Sequence, residues 1–323
     1  MPLQARDLEP AIPLWPGLRG GCPLLVNHSE NHTFRIDAPG GDSFMLRVHR
    51  PDYQSLANIE SELAWLAALQ RDTDLPIPDP VPGEDGRLLQ FFSTPRGETR
   101  HAVLFRFIAG AEPVPDDDLV PLFGTLGGYA ARLHRHAMSW RRPAGFVRQA
   151  WTAQSILDEN GLWGDWRLAP GVDGGVRPVL DRLDGELRRR LSAYGMGRER
   201  YGLIHADMRL GNLLVDKGRV SLIDFDDCGL CWFGYDFAAA ISFYETRADL
   251  PALRAAWLDA YWAERPLAEE DAAALDSMVM LRRMALLAWI GSHGETALAQ
   301  SHAAGFAEGT ARLAERYLGG SFW

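Results

Sequence analysis

Cysteine is scarce in this chain: Cys22, Cys228 and Cys231 are the only three in 323 residues. So few thiols exclude a disulfide scaffold and fit a reduced compartment. The first residues, Met1–Asp7, lack the apolar core of a signal peptide, so the expected location is cytoplasmic. No apolar run reaches the roughly 18 residues of a membrane-spanning helix. Even Met278–Ile290 is interrupted by Arg282 and Arg283. Basic residues are outnumbered, 33 Lys and Arg against 43 Asp and Glu, for a formal net charge of −10. That balance argues against a nucleic-acid partner and against attraction to an anionic membrane. Internal repeats and low-complexity tracts are also missing.

What is present suits a globular chain with one large core or two moderate ones: 47% of residues are hydrophobic and 24% charged. The pattern changes along the sequence. From Leu24 to Ile108 it reads as strands and turns with one helix. Asn27–Ile36 is a polar turn running into an extended segment, and Pro39–Asp42 is a turn. Ser43–His49 alternates as a strand, and Ser55–Gln70 has helical spacing. The prolines of Leu75–Gly83 force an extended loop. Leu88–Phe92 and Ala102–Phe107 are further strands. Beyond Glu112 helices are expected over Asp116–His136, Pro178–Tyr194, Gly234–Tyr244, Pro251–Ala263, Ala268–Ile290 and Glu295–Leu318.

The densest chemical signal is Tyr201–Asp227. It carries His205, Asp207, Asn212 and Asp224 as H-x-D-x-x-x-x-N followed by I-D-F-D. Asp207 can accept a proton from a hydroxyl. Asn212 returns five residues later as a metal ligand, and Asp224 ends an apolar strand where it can hold a second metal. A base and two oxygen ligands in this order are the parts that kinases assemble around ATP and Mg2+. Leu213–Val215 and Val220–Ile223 flank Asp216–Arg219 as a hairpin. Asp226 and Asp227 follow at once. Strand alternation would aim Asp226 the same way as Asp224, and its part in the metal site stays open. Cys228 and Cys231 form C-G-L-C, but a zinc site would need further ligands, so packing is the expected role.

The stretch resembles the catalytic core of the aminoglycoside phosphotransferase/choline kinase family, in the branch with homoserine kinase-like enzymes and the bacterial stress-response Ser/Thr kinase. Ala206 stands where that family commonly has Gly, and Arg209 where it commonly has His. The resemblance implies an α+β, two-lobed protein-kinase-like fold. Residues 1–108 would form a small β-rich N-lobe that binds the nucleotide phosphates. Residues 109–323 would form a larger, mostly helical C-lobe with the catalytic loop and the acceptor site. Ala109-Gly110 fits the hinge. Arg47 takes the strand position of the phosphate-pairing lysine, oriented by Glu62 on the next helix. Ser29 and Asn31 lie in the turn that would cradle phosphate. His205 and Asp236 are implied to support the loop. Tyr244, Glu245, Trp289 and His293 could line the acceptor pocket.

The expected activity is transfer of the ATP γ-phosphate to a hydroxyl of a small molecule: an amino alcohol, a homoserine-like or an aminoglycoside-like acceptor. A protein Ser/Thr acceptor is one alternative, and a non-catalytic nucleotide-binding module is another. Only twelve positions separate Asp224 from Asp236, which leaves little platform for a peptide. A module that only binds has no need of Asp207.

Overall fold

The computed structural model describes residues 3–28, 31–51 and 53–323. The chain folds into two compact units. The first comprises the chain up to Ala111 together with Arg141–Arg148 and Leu214–Asp226. The second comprises Glu112–Trp140, Gln149–Leu213 and Asp227–Trp323. The chain thus passes between units more often than one boundary near residue 108 requires.

The first unit is built on an antiparallel sheet. Its strands are β1 (Cys22–His28), β2 (Asn31–Asp37), β3 (Ser43–His49), β4 (Pro80–Val81), β5 (Leu89–Ser93) and β6 (Thr99–Arg106). They run in the order β1-β2-β3-β6-β4, with β5 also paired to β6. Phe34 and Ile36 from β2, and Leu46 and Val48 from β3, face one way and are buried with Leu104. Three short 3-10 turns between Ala5 and Leu18 add Leu8, Ala11, Trp15 and Leu18 to this core. Each such side chain, withdrawn from water, contributes about 1.5–3 kcal/mol for the larger residues. These turns had no sequence expectation, because three residues per turn leave too short a pattern to read.

Helix α1 (Leu56–Asp72) starts at Ser55, whose Oγ accepts from Asn58 N at 3.2 Å, and stops at Thr73, just before the proline-rich segment. It buries Ile59, Leu63, Trp65, Leu66 and Leu69 on one face, with Glu62 among them. Trp65 meets Phe225 edge-on at 5.6 Å.

The second unit contains α2 (Val120–Ser139), α3 (Ala153–Leu157), α4 (Arg177–Tyr194), α5 (Tyr235–Ala240), α6 (Leu250–Glu264), α7 (Glu269–Ala273), α8 (Leu275–Ser292), α9 (Ala297–Ala303) and α10 (Phe306–Leu318). Strand β7 (Tyr201–Ile204) pairs antiparallel with β10 (Gly229–Trp232). Helix α8 is buried nearly along its whole length, from Leu275 to Ile290. The hairpin of β8 (Leu213–Asp216) and β9 (Arg219–Leu222), which from Leu214 on belongs to the first unit, turns through Lys217 and Gly218, both at positive φ.

Several helices are shorter than their patterns suggest. The acidic run Asp116–Asp118 lies outside α2, which begins at Val120 with Pro121 in its first turn. Asp118 instead accepts from Val120 N at 3.1 Å. The single helix expected over 268–290 is divided at Ala274, and that over 295–318 is divided at Gly305, which sits at φ 74°. Helix α5 stops at Ala240 rather than reaching Tyr244. Among the described residues no helix is long and apolar enough to cross a membrane.

Candidate active site

The second unit holds the candidate catalytic loop. Strand β7 ends at Ile204 and delivers His205, Ala206 and Asp207. Ala206 adopts φ 67°, a left-handed conformation that costs a non-glycine residue on the order of 1–2 kcal/mol. Buried charge on either side holds it there. Asp236, at the start of α5, accepts from Ala206 N at 2.7 Å and from His205 N at 3.3 Å. His134 Nε2 meets the same carboxylate at 2.9 Å, and Tyr261 closes the chain at His134 Nδ1, 2.8 Å away. Asp236 thus has the supporting place that the resemblance implies.

Asp207 is gripped on both oxygens. Oδ2 accepts from Asn212 Nδ2 at 2.6 Å and from Arg209 Nε at 3.3 Å. Oδ1 accepts from Arg282 Nη2. Burial alone would push the Asp207 carboxyl up, but Arg282, Arg209 and His205 outweigh it and hold the group below its ordinary value. It is therefore a carboxylate at neutral pH, the form able to accept a proton. Asn212 also donates to the Asp207 carbonyl at 2.8 Å. With Nδ2 so committed, its Oδ1 is the atom left for a ligand role.

The first unit carries the cationic set. Arg47 on β3 is ion-paired with Glu62 on α1, Nη2 lying 2.8 and 2.7 Å from the two carboxylate oxygens. Both residues are buried. Burial disfavours the Arg47 charge, but Glu62, Asp226 and Asp224 together hold its pKa above the ordinary arginine value. Arg47 Nη1 lies 3.8 Å from Asp224, whose side chain is 49% exposed. Strand β9 ends at Leu222, and Asp224 sits at φ 61°. The alternation that would aim Asp224 and Asp226 alike is therefore broken: Asp224 is open, whereas Asp226 is buried.

Asp226 Oδ2 accepts from Asn31 Nδ2 at 2.8 Å, and its carbonyl accepts from Gln54 and from buried Arg148. The Asn31 side chain is thus directed at Asp226 rather than kept free for phosphate. Its Oδ1 lies 3.4 Å from Arg50 N. Ser29, the other expected phosphate contact, lies outside the described residues.

Asn212 Oδ1 in the second unit and the Asp224 carboxylate in the first are each an oxygen donor of the kind a hard divalent cation takes. Among the described residues no group of three or more His, Cys, Asp or Glu could hold a metal by itself. Cys228 and Cys231 are both fully buried next to or within β10, as packing requires. Of the acceptor-pocket candidates, Glu245 is buried against Arg283 at 2.8 Å, and Trp289 stacks on His293 at 5.2 Å. Arg148, Arg282 and His134 carry no signal in the catalytic motif. The sign available for Arg282 was two adjacent arginines inside an otherwise apolar helix, since buried charge must find a partner.

Residues 24–270 match the phosphotransferase enzyme family, and the chain belongs to it. It is a phosphotransferase of the kinase class, with an alcohol group as acceptor. Its structure is similar to that of a microcompartment-associated aminopropanol kinase, with 42% identity, 97% of each chain covered and a TM-score of 0.88. The likeness establishes the kinase-like α+β fold. The chain is 30% identical over 277 residues to a homoserine kinase of Methylobacillus flagellatus, covering 82% of this chain and 77% of that one. It is also 26% identical over 212 residues to amicoumacin kinase of Bacillus subtilis, covering 65% of this chain. That match spans 59% of the Bacillus protein, less than two thirds of its length.

Proposed function

We propose that this chain transfers the γ-phosphate of ATP, with Mg2+, to the hydroxyl of a small amino alcohol of the aminopropanol type. The observation that carries the reaction is Asp207, ionised and held on both oxygens at the end of β7. The acceptor class rests on the 42% identity to the aminopropanol kinase over 97% of both chains.

In this reading Asp207 Oδ2 accepts a hydrogen bond from the acceptor hydroxyl and aims its oxygen at phosphorus. The O–P bond forms as the bond to ADP breaks, and the hydroxyl proton passes to the carboxylate. Asn212 and Asp224 would hold Mg2+, which when bound neutralises phosphate charge. Arg47, anchored by Glu62, meets the phosphates with a charge that does not titrate. Catalysis is then chiefly positioning and electrostatics.

A homoserine acceptor is the second reading, favoured by the relative from Methylobacillus flagellatus. A peptide acceptor has less support, because β10 occupies much of the stretch between Asp224 and Asp236. The deciding experiment incubates the enzyme with MgATP and, separately, 1-amino-2-propanol, homoserine, an aminoglycoside and denatured protein. Phosphoester is read by 31P NMR, with Asp207→Ala as the control. Product from the amino alcohol, lost by on the order of 10²-fold or more in Asp207→Ala, is expected. Product from homoserine or protein alone would refute the amino-alcohol assignment.

A further inference from the structure

We propose that Arg282 is the positioning residue for the base: it fixes the Asp207 carboxylate through Oδ1 and so presents Oδ2 to the acceptor hydroxyl. This rests on the kinase reading above.

Arg282 is 2% exposed and lies in the middle of α8, a helix that is apolar nearly all round. A guanidinium there is tolerated only when its donors are matched. All three of its nitrogens are. Nε donates to Ser242 Oγ at 3.0 Å, Nη1 to the Ala206 carbonyl at 3.3 Å, and Nη2 to Asp207 Oδ1. The Trp163 and Tyr235 rings lie 5.1 and 5.8 Å from the guanidinium carbon. The fork therefore reaches the turn after α5, the strained residue of the catalytic loop and the base itself. Asp236 grips the N–H side of Ala206, and Arg282 grips its carbonyl side. Only a planar, five-donor group can serve three such targets at once.

The arrangement assigns different work to the two Asp207 oxygens. Oδ1 is held by a buried cation from α8. Oδ2 takes a short bond from Asn212, and its contact to Arg209, at 3.3 Å, is long and yields easily to a hydroxyl. Without Arg282 the carboxylate can turn about its last torsion, which is broad for aspartate. A misplacement of that kind costs about 10²-fold in rate.

The test uses Arg282→Met, Arg282→Ala and Ser242→Ala in the full chain. Arg282→Met should lower kcat by about 10²-fold while affinity for MgADP stays near that of the parent. Guanidinium ion should restore part of the kcat of Arg282→Ala and none in Asp207→Ala. A general loss of packing would show no such rescue. Ser242→Ala removes one anchor from the far edge of the fork and should lower kcat several-fold with unchanged nucleotide KM. That variant decides the matter should the arginine variants fail to fold. Parent-like kcat in folded Arg282→Met or, failing that, in Ser242→Ala would overturn the proposal. A crystal structure of Arg282→Met provides a readout independent of activity: Asp207 should be found rotated, and an unmoved carboxylate would overturn the assignment. If the parent phosphorylates no alcohol, the kinase reading fails by itself, and the crystallographic comparison still decides the role of Arg282.

Discussion

Asp224 and Asp226 are two residues apart and occupy opposite environments. Asp224 is half exposed beside Arg47, and Asp226 is buried in a brace with Asn31. Their amides should therefore fail differently. Asp224→Asn removes an accessible anionic oxygen, so the Mg2+ concentration for half-maximal activity should rise about tenfold or more. Asp226→Asn should leave that requirement near the parent value and instead lower stability by about 1–3 kcal/mol. A magnesium titration and a urea melt on both variants check this, and exchanged phenotypes would reassign the ligand. Arg47 and Glu62 make a second test. Arg47→Lys should keep partial activity, Arg47→Met very little, and Glu62→Gln an intermediate level. The Arg47→Met/Glu62→Gln double variant should lose little beyond Arg47→Met, because the pair acts as one unit. Fully additive losses would mean that another cation meets the phosphates.

Among the elements, α2 and α6 depend on one missing side chain. A Cβ on Gly127 would clash with the Trp257 carbonyl, so the two helices approach closely only because residue 127 has none. Gly127→Ala should cost about 1–3 kcal/mol, although alanine favours helix, and thermal melting should show it. A stabilised variant would mean that the helices separate freely. The same scale explains what the sequence revealed. The 201–227 motif could be read because its residue types and spacing are fixed by chemistry. Helix α1 could be read from its spacing and from Ser55. The close approach at Gly127 and the grip of Arg282 on Asp207 could not, since each depends on residues far apart in the chain. Helix ends were blurred for a related reason: Gly305 reads as tolerable in a pattern, yet its positive φ breaks the helix. Asn31 resembled a phosphate contact in sequence because nothing local discloses a partner 195 positions away.

At the scale of the whole molecule, two buried histidines make the fold less stable as the pH falls. His49 is buried, and burial together with Arg47 pulls it down to about 3. Burial likewise lowers His134. Both are neutral in the fold at ordinary pH, and both charge in the unfolded chain near pH 6.5. At His49 the unfolded state therefore binds more protons as pH falls from about 6.5 towards about 3, and His134 adds to this with the same sign. The stabilisation is complete above that window and is lost within it, at up to about 1.4 kcal/mol per pH unit for His49. Urea midpoints at pH 7 and pH 5 should differ accordingly, and His49→Gln should flatten the dependence. Equal midpoints in the parent would show that these rings already carry protons in the fold.

The position on β3 that meets phosphate in this reading carries a guanidinium clasped by Glu62, and the chain's single lysine, Lys217, lies exposed in the turn between β8 and β9. Covalent nucleotide probes that acylate an amine beside the phosphates would therefore find no ε-amino group on Arg47 to modify. In a chemoproteomic survey of ATP-binding proteins that depends on such acylation, this enzyme would pass unlabelled at that position while fully active.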